Sequence, residues 1–327
     1  MTAGRFGVLF AILVVVALAA FVFAMASGSA DIGLAEAVRL LTDPGNESTR
    51  AGVAELRLTR ATTAFAVGGL LAIAGVLMQI LLRNPLAEPY ILGTSGGAAV
   101  AALVAMLLGA SSLLIDTSAF AGALAATLLV FTIAHGTGSW TPTRLLLTGV
   151  VLAAGFSAAT TLLLALSPEH QLRGMLFWLM GDLSFALEPE RPLVLLAVLA
   201  LLATLSARQL NVLARGEVQA AIVGLPVGAF RYAVFVASSI AVAVAVTTAG
   251  VIGFIGLVVP HLVRMFTGSD HRFVVPASAI AGGSLLVVAD TLSRSLLAPR
   301  QLPVGALTAA IGVPLFLILM SRSRSYR

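Results

Sequence analysis

The chain has 327 residues, 59% of them hydrophobic and only 10% charged, with a mean hydropathy of +1.06. Soluble domains carry about a quarter charged residues, so composition excludes an ordinary soluble domain and places the chain in a membrane. All nineteen basic side chains are arginine and the net charge is +5; Lys and Cys are both absent, which excludes a Walker-type phosphate loop, whose lysine holds the nucleotide phosphates, and any disulfide, thiol nucleophile or cysteine metal site.

Phe6 to Met25 is an apolar run of about 20 residues, long enough to span a bilayer. The competing reading, a signal peptide ending at Ala24-Met25-Ala26, gives an apolar core longer than such peptides usually have, so a retained first span is expected. Asp31 to Arg60 is polar and acidic, contains Pro44 and Gly45, and reads as an external loop with one amphipathic helix around Leu34 to Leu41. Further spans are expected at Ala61 to Leu82, Ile91 to Leu108, Ser118 to Ala134, Leu145 to Leu166, Pro192 to Ala207, Tyr232 to Ala249, Val251 to Met265, Val274 to Ala289 and Val304 to Met320, ten with the first. The predicted fold class is all-α: a polytopic membrane protein of ten transmembrane helices, forming a single transmembrane domain over residues 1–327.

Loop charges orient this chain. With the N-terminus inside, the cytoplasmic segments hold eleven arginines against Glu88, Glu217 and Asp270, and the external ones eight arginines and eleven acids. That asymmetry follows the positive-inside rule and puts both termini in the cytoplasm. The positive net charge is then a topology signal, and no nucleic-acid partner is expected. Gly68, Gly69 and Gly75, Thr94 to Gly97, and Gly149 and Gly155 are the small residues through which membrane helices approach closely.

Between the sixth and seventh spans lies a polar island, Arg208 to Arg231, on the cytoplasmic side. Gly216, Gly224, Pro226 and Gly228 divide it into two helix-length pieces, Leu210 to Arg215 and Glu217 to Val223. Two short helices at a membrane surface make a knob that a soluble partner can grip; the alternative is a connector, although loops of this length without a role are uncommon.

Chemistry within the bilayer would need ionisable groups at mid-depth. On this topology every Asp and Glu falls in a loop or at a span end; Asp290, at the outer end of the ninth span, pairs with Arg294 one turn on. His135, His170, His261 and His271 lack metal-ligand spacing on a common helix face. No catalytic residue, metal site or cofactor is therefore expected, which argues against a proton-coupled secondary transporter or exporter and against a membrane enzyme. Gln79, Thr160, Thr161, Thr247 and Thr248 suit either interhelical hydrogen bonds or the wall of a wet pathway. In Arg83 to Tyr90 two prolines make a stiff turn, able to gate a pore or merely to connect two helices. Arg57 and Arg60, spaced i, i+3, share one side of the helix entering the second span, and Arg294 lies on the same side of the membrane. They suit docking of an acidic partner, or else local pairing, Arg57 with Glu55 and Arg294 with Asp290.

Several strings in order, RLTR from Arg57, RNPLAEPYILGTSGGA from Arg83, RLLLTG from Arg144, MLFWLMG from Met175, GEVQAAIVG from Gly216, GVIGFIGLVVPHLVR from Gly250, SDHR from Ser269, AD at Ala289 and LPVG from Leu302, resemble the FecCD family. Its members are permeases of type II ABC importers that carry iron-siderophores, haem and cobalamin, and the resemblance covers about residues 50 to 320. It implies the type II permease fold of ten helices in a bacterial inner membrane. It further implies a second permease copy, ATP-binding cassette ATPase subunits below, and a periplasmic or lipid-anchored substrate-binding protein above. By the same resemblance the polar island is the ATPase-coupling loop, with Leu213, Arg215, Gly216, Glu217, Ala220 and Gly224; Asn84 and Leu86, with Thr141, Pro142 and Thr143, form the cytoplasmic gate; and Arg57, Arg60 and Arg294 meet acidic residues of the binding protein. Pro142 interrupts the hydroxyl run at the second gate segment. The string LRGMLFWLMGD is more similar to cobalamin and siderophore permeases than to haem permeases.

Overall fold

The computed structural model describes residues 3–28, 32–42, 49–135, 141–184, 186 and 188–322; Pro44, Gly45, Arg324 and Arg327 lie outside them. The described residues form fourteen α-helices and one 3-10 turn, with no strand. Ten helices coincide with the expected spans: α1 (Ala3–Ala26), α3 (Thr49–Leu81), α4 (Thr94–Leu107), α5 (Ser112–His135), α6 (Pro142–Leu166), α8 (Glu190–Leu205), α11 (Val227–Ala249), α12 (Ile255–Thr267), α13 (His271–Ser295) and α14 (Val304–Arg322). The remaining four are short: α2 (Leu34–Thr42), α7 (Glu169–Leu179), α9 (Ala207–Ala214) and α10 (Glu217–Ile222). By length and composition six helices can cross a membrane, or seven if α8 and α9, bent by 65°, make one span; α4, α12 and α14 are shorter. The count of ten is thus approximate.

The bundle is built around α3, whose residues 66–81 are buried throughout and, Gln79 apart, without polar side chains, as a helix apolar on every side requires at the centre of a bundle. Glycine sets how closely its neighbours come. A Cβ at Gly75 would stand 1.9 Å from the Gly256 carbonyl oxygen of α12, and one at Gly68 2.3 Å from that of Gly282 on α13, so both crossings are backbone against backbone. From α11 the Ser238 hydroxyl donates to the Ala74 carbonyl, 3.2 Å. Leu70, Leu71, Ile73, Met78 and Phe235 fill the core between these contacts.

Two boundaries differ from expectation. Helix α3 starts at Thr49 rather than at Ala61, because Glu55, Arg57 and Arg60 are good helix formers and continue the helix past the apolar limit. Helix α12 starts at Ile255 rather than Val251. Gly250 ends α11 with φ +67°, where a Cβ would lie 2.2 Å from the Trp178 carbonyl oxygen, and Phe254 is itself left-handed at φ +70°. Residues 250–254 therefore run non-helically before the helix resumes. The outer surface of α6 is apolar and exposed, with Leu147, Val150, Val151, Leu162 and Leu166. Below, the end of the bundle bearing α9 and α10 is the loop face and the opposite end the far face.

Candidate functional site

On the loop face both short helices of the polar island form, as α9 and α10, close to the expected bounds. Gly216 between them has φ +124° and Gly224 after them φ +83°, conformations that side chains with a Cβ rarely adopt. Two clasps seat the loop. The Asn211 amide of α9 donates to Asp270 Oδ1 (2.8 Å) and accepts the His271 backbone N–H (2.9 Å), at the start of α13. Asp270 also accepts from the Arg272 side chain at 2.6–3.1 Å, and that bond holds its carboxyl well below the usual carboxylate range. The second clasp is Glu217 of α10: its Oε2 lies 2.6 Å from Arg231 Nη1 of α11, and its Oε1 3.9 Å from Arg83 Nη2.

Of the coupling residues expected from sequence, Leu213 and Ala220 are buried and anchor the loop inward, while Arg215 and Gly224 are exposed and Gly216 and Glu217 half-buried. Sequence reasoning missed Val218, Ile222 and Val223, which are 75%, 79% and 67% exposed. An exposed apolar cluster in a segment too polar for the bilayer core is what a protein contact leaves when the partner is away. Its signal was present: Val218 and Ile222, spaced i, i+4, lie on the side of α10 away from Ala220, with Val223 following at its end.

Beside the loop, α3 ends in a rigid turn. Arg83 is left-handed, φ +48°; Asn84 donates its N–H to Gln79 O (3.1 Å) while its Oδ1 accepts the Leu86 N–H (2.9 Å). Asn84 is thus an Asx-turn residue, with Pro85 fixing the next φ, and Leu86 is left exposed. The chain then turns back into the bundle, where the 3-10 turn Pro89–Leu92 precedes α4. There Glu88 Oε1 accepts the Phe254 N–H (2.9 Å) and the Tyr90 hydroxyl accepts the Ile252 N–H (3.3 Å). A loop carboxylate by sequence, Glu88 therefore serves inside the bundle as the cap that the opening of α12 lacks. In the second gate segment Thr141 is the N-cap of α6, its hydroxyl accepting the Arg144 N–H (3.2 Å); Pro142 takes the first helical position, where a missing N–H costs nothing, and Thr143 is exposed.

On the far face the three arginines expected there are engaged within the chain. Arg57 is 5% exposed and donates to the carbonyls of Met25 (2.8 Å) and Ile32 (3.1 Å). Arg294 donates to those of Ser27 (2.7 Å) and Ala24 (2.6 Å) and keeps the expected partner Asp290 at 3.9 Å. The closer partner of Asp290 is Arg60, which grips both carboxylate oxygens at 2.8–3.1 Å and reaches Ser184 and Gln301. Arg57 and Arg294 thus satisfy the orphan carbonyls at the end of α1, instead of presenting free guanidinium groups outward. Of the uncharged polar residues singled out in the spans, Gln79 bonds across helices, pairing with Arg264 and donating to Gly256 O (3.3 Å); Thr161 and Thr248 bond back to their own helices. Among the described residues no three His, Asp or Glu side chains gather as a metal site needs.

Comparisons with known proteins fit this layout. The model of the FecCD transport family matches residues 13–322. The hemin transport system permease protein HmuU of Yersinia pestis is 42% identical over 281 residues, 83% of this chain and 84% of its own. The vitamin B12 import system permease protein BtuC of Escherichia coli is 39% identical over 288 residues, 86% of this chain and 87% of its own. Among solved structures, one described as an inward-facing metal-chelate type ABC transporter superposes with a TM-score of 0.84 at 29% identity, covering 97% of this chain and 99% of that one.

Proposed function

This chain belongs to the FecCD transport family, and on that premise we propose that it is the membrane-spanning permease of an importer whose energy comes from ATP hydrolysed on partner subunits. The observation that carries this reading is the loop face: a polar loop held by two clasps, offering Val218, Ile222 and Val223 outward. In this reading the loop is the seat of an ATP-binding cassette ATPase, the loop face is cytoplasmic, and the far face receives a periplasmic or lipid-anchored binding protein. Arg60, the least buried of the three far-face arginines, is the one to meet acidic side chains of that protein, while Arg57 and Arg294 hold the shape of the face. Two copies pair in a bacterial inner membrane through exposed apolar helix surfaces, and the turns at Asn84 and Leu86, with Thr141 to Thr143, close the pathway between them. The whole chain acts as one permease domain. The cargo is a metal chelate of the haem, cobalamin or iron-siderophore kind; relatives named for haem and for cobalamin stand at 42% and 39% identity, so likeness does not choose between them.

The experiment is reconstitution. Purified alone, the chain is expected to bind and hydrolyse no ATP, since it has no lysine for a phosphate loop. Co-reconstituted with its ATPase and binding protein, it is expected to drive uptake that the Gly216→Trp, Gly224→Trp double variant abolishes with insertion intact. Tight ATP binding by the lone chain, or normal uptake by the double variant, rejects the reading.

A further inference from the structure

The loop meets the turn through the Glu217 carboxylate. Glu217 divides its two oxygens. Oε2 is held at 2.6 Å by Arg231, whose side chain is only 7% exposed, so α11 is the fixed member. Oε1 faces Arg83 at 3.9 Å, and the Arg83 side chain is 47% exposed, so the turn is the movable one. A guanidinium nitrogen of Arg83 would also lie 3.9 Å from a Cβ at Gly216, so the arginine lies along the hinge between the two loop helices. Closing the ionic contact by about 1 Å makes it a direct charge-assisted bond, and opening it by as much breaks it.

The backbone points the same way. Among the described residues the non-glycine residues with positive φ are Arg83 and Phe254. Such strain persists only where the surroundings over-determine it, and it clusters at switches. These two residues stand at opposite ends of one rigid piece. Arg83 opens the turn; Gln79 O, the Asn84 side chain, Pro85 and Pro89 stiffen it; and Glu88 ends it by capping Phe254.

We propose that Arg83 and Glu217 are the positioning pair that transmits movement of α10 to the turn of residues 83–88, and that Glu88 carries it on to the start of α12. The inference rests on the reading of α9 and α10 as the ATPase seat and of the turn as the gate. In the resting clasp Arg231 keeps α10 in place. When a partner shifts α10, Glu217 moves relative to Arg83, and the turn, too stiff to absorb the shift, tilts as a unit with Leu86 at its tip.

The test uses the permease reconstituted with its ATPase and binding protein. The chain has no cysteine, so Leu86→Cys carries the only thiol in the permease and takes a spin label whose distance between two copies is read with and without ATP. Arg83→Asn removes the cation with a residue that tolerates the left-handed region, Arg83→Gly does so without backbone cost, and Arg83→Lys keeps the charge. Expected is an ATP-dependent change in the label distance that both neutral variants lose and the lysine variant recovers. Uptake falls roughly fivefold in the neutral variants, the most that a half-exposed ion pair biases an equilibrium, while ATP hydrolysis continues. Wild-type distance changes and uptake in Arg83→Asn and Arg83→Gly overturn the pair. The Gly216→Trp, Gly224→Trp variant separates the two failures: if it too transports normally, the seat itself is misassigned, whereas if it is inactive and the arginine variants are not, only the transmission is wrong. No ATP-dependent distance change in the parent protein overturns both the gate and the pair.

Discussion

Both ends of the molecule carry arginines, and the two ends use them in opposite ways. On the far face Arg57, Arg60 and Arg294 are buried or nearly so, and each meets two or more acceptors at ordinary bond lengths. On the loop face Arg83 and Arg272 remain half exposed, and Glu217 holds one arginine tightly and one loosely. The far face is therefore locked and the loop face clasped. Under the proposed function that asymmetry gives a rigid end that keeps α1, α3 and α13 in register and a compliant end that a partner can move.

The largest effect expected from this difference is at Asp290. Asp290→Ala takes the buried carboxylate from the largely buried Arg60 guanidinium, and breaking such a pair costs about 3 kcal/mol; thermal unfolding in detergent should show a large loss of stability. An unchanged transition temperature would make the far face no more locked than the loop face. Next is Arg294→Ala, which leaves the carbonyls at the end of α1 unsatisfied for a cost of about 1–3 kcal/mol. Proteolysis around residue 28 should rise in that variant and not in Arg83→Asn; equal protection in both would erase the comparison from the other side. Asn211→Ala removes one clasp of the loop, whose amide donates to the Asp270 carboxylate, at about 1.5 kcal/mol, and hydrogen exchange of α9 is expected to quicken while α3 stays unchanged.

The smallest effect is with pH. The Asp270 carboxyl is depressed, mainly by its hydrogen bond from Arg272, so the stabilisation it gives is fully present above the ordinary aspartate range and is lost only as pH falls below it. Exchange of α9 should be insensitive to pH-driven clasp opening from neutral down to the ordinary aspartate range, once intrinsic rates are removed. Opening at mildly acidic pH would mean that Asp270 is not held as the geometry has it.

Much of this was legible from sequence, and for physical reasons. Apolar runs mark helices that must be buried or lipid-facing, so the ten helices, the amphipathic α2 and the division of the polar loop at Gly216 were all readable. Three things were not. The upstream extension of α3 is hidden because hydropathy reads burial and says nothing about where a helix of Glu, Arg and Leu begins. The break at Gly250 was readable, but not its length: residues 251–254 look like continuous apolar sequence, and the helix resumes only at Ile255, after the left-handed Phe254. Asp290 with Arg60 and Glu88 with Phe254 join residues far apart in the chain, and spacing rules such as i, i+4 see only the weaker partner, Arg294. The same limit explains the arginines: i, i+3 spacing placed Arg57 and Arg60 on one side of a helix, but not whether that side faces water or α1.

The central claim is that the loop face, through its exposed apolar cluster, is where the ATPase is seated. The most direct measurement is the affinity of the purified ATPase subunit for the permease in nanodiscs, wild type against Val218→Asp, Ile222→Asp. These side chains make little contact with the bundle, so the unfolding transition is expected to stay put while affinity falls at least about tenfold, as it does when a contact centre is lost. Unchanged affinity in the variant, with the fold intact, would contradict the account.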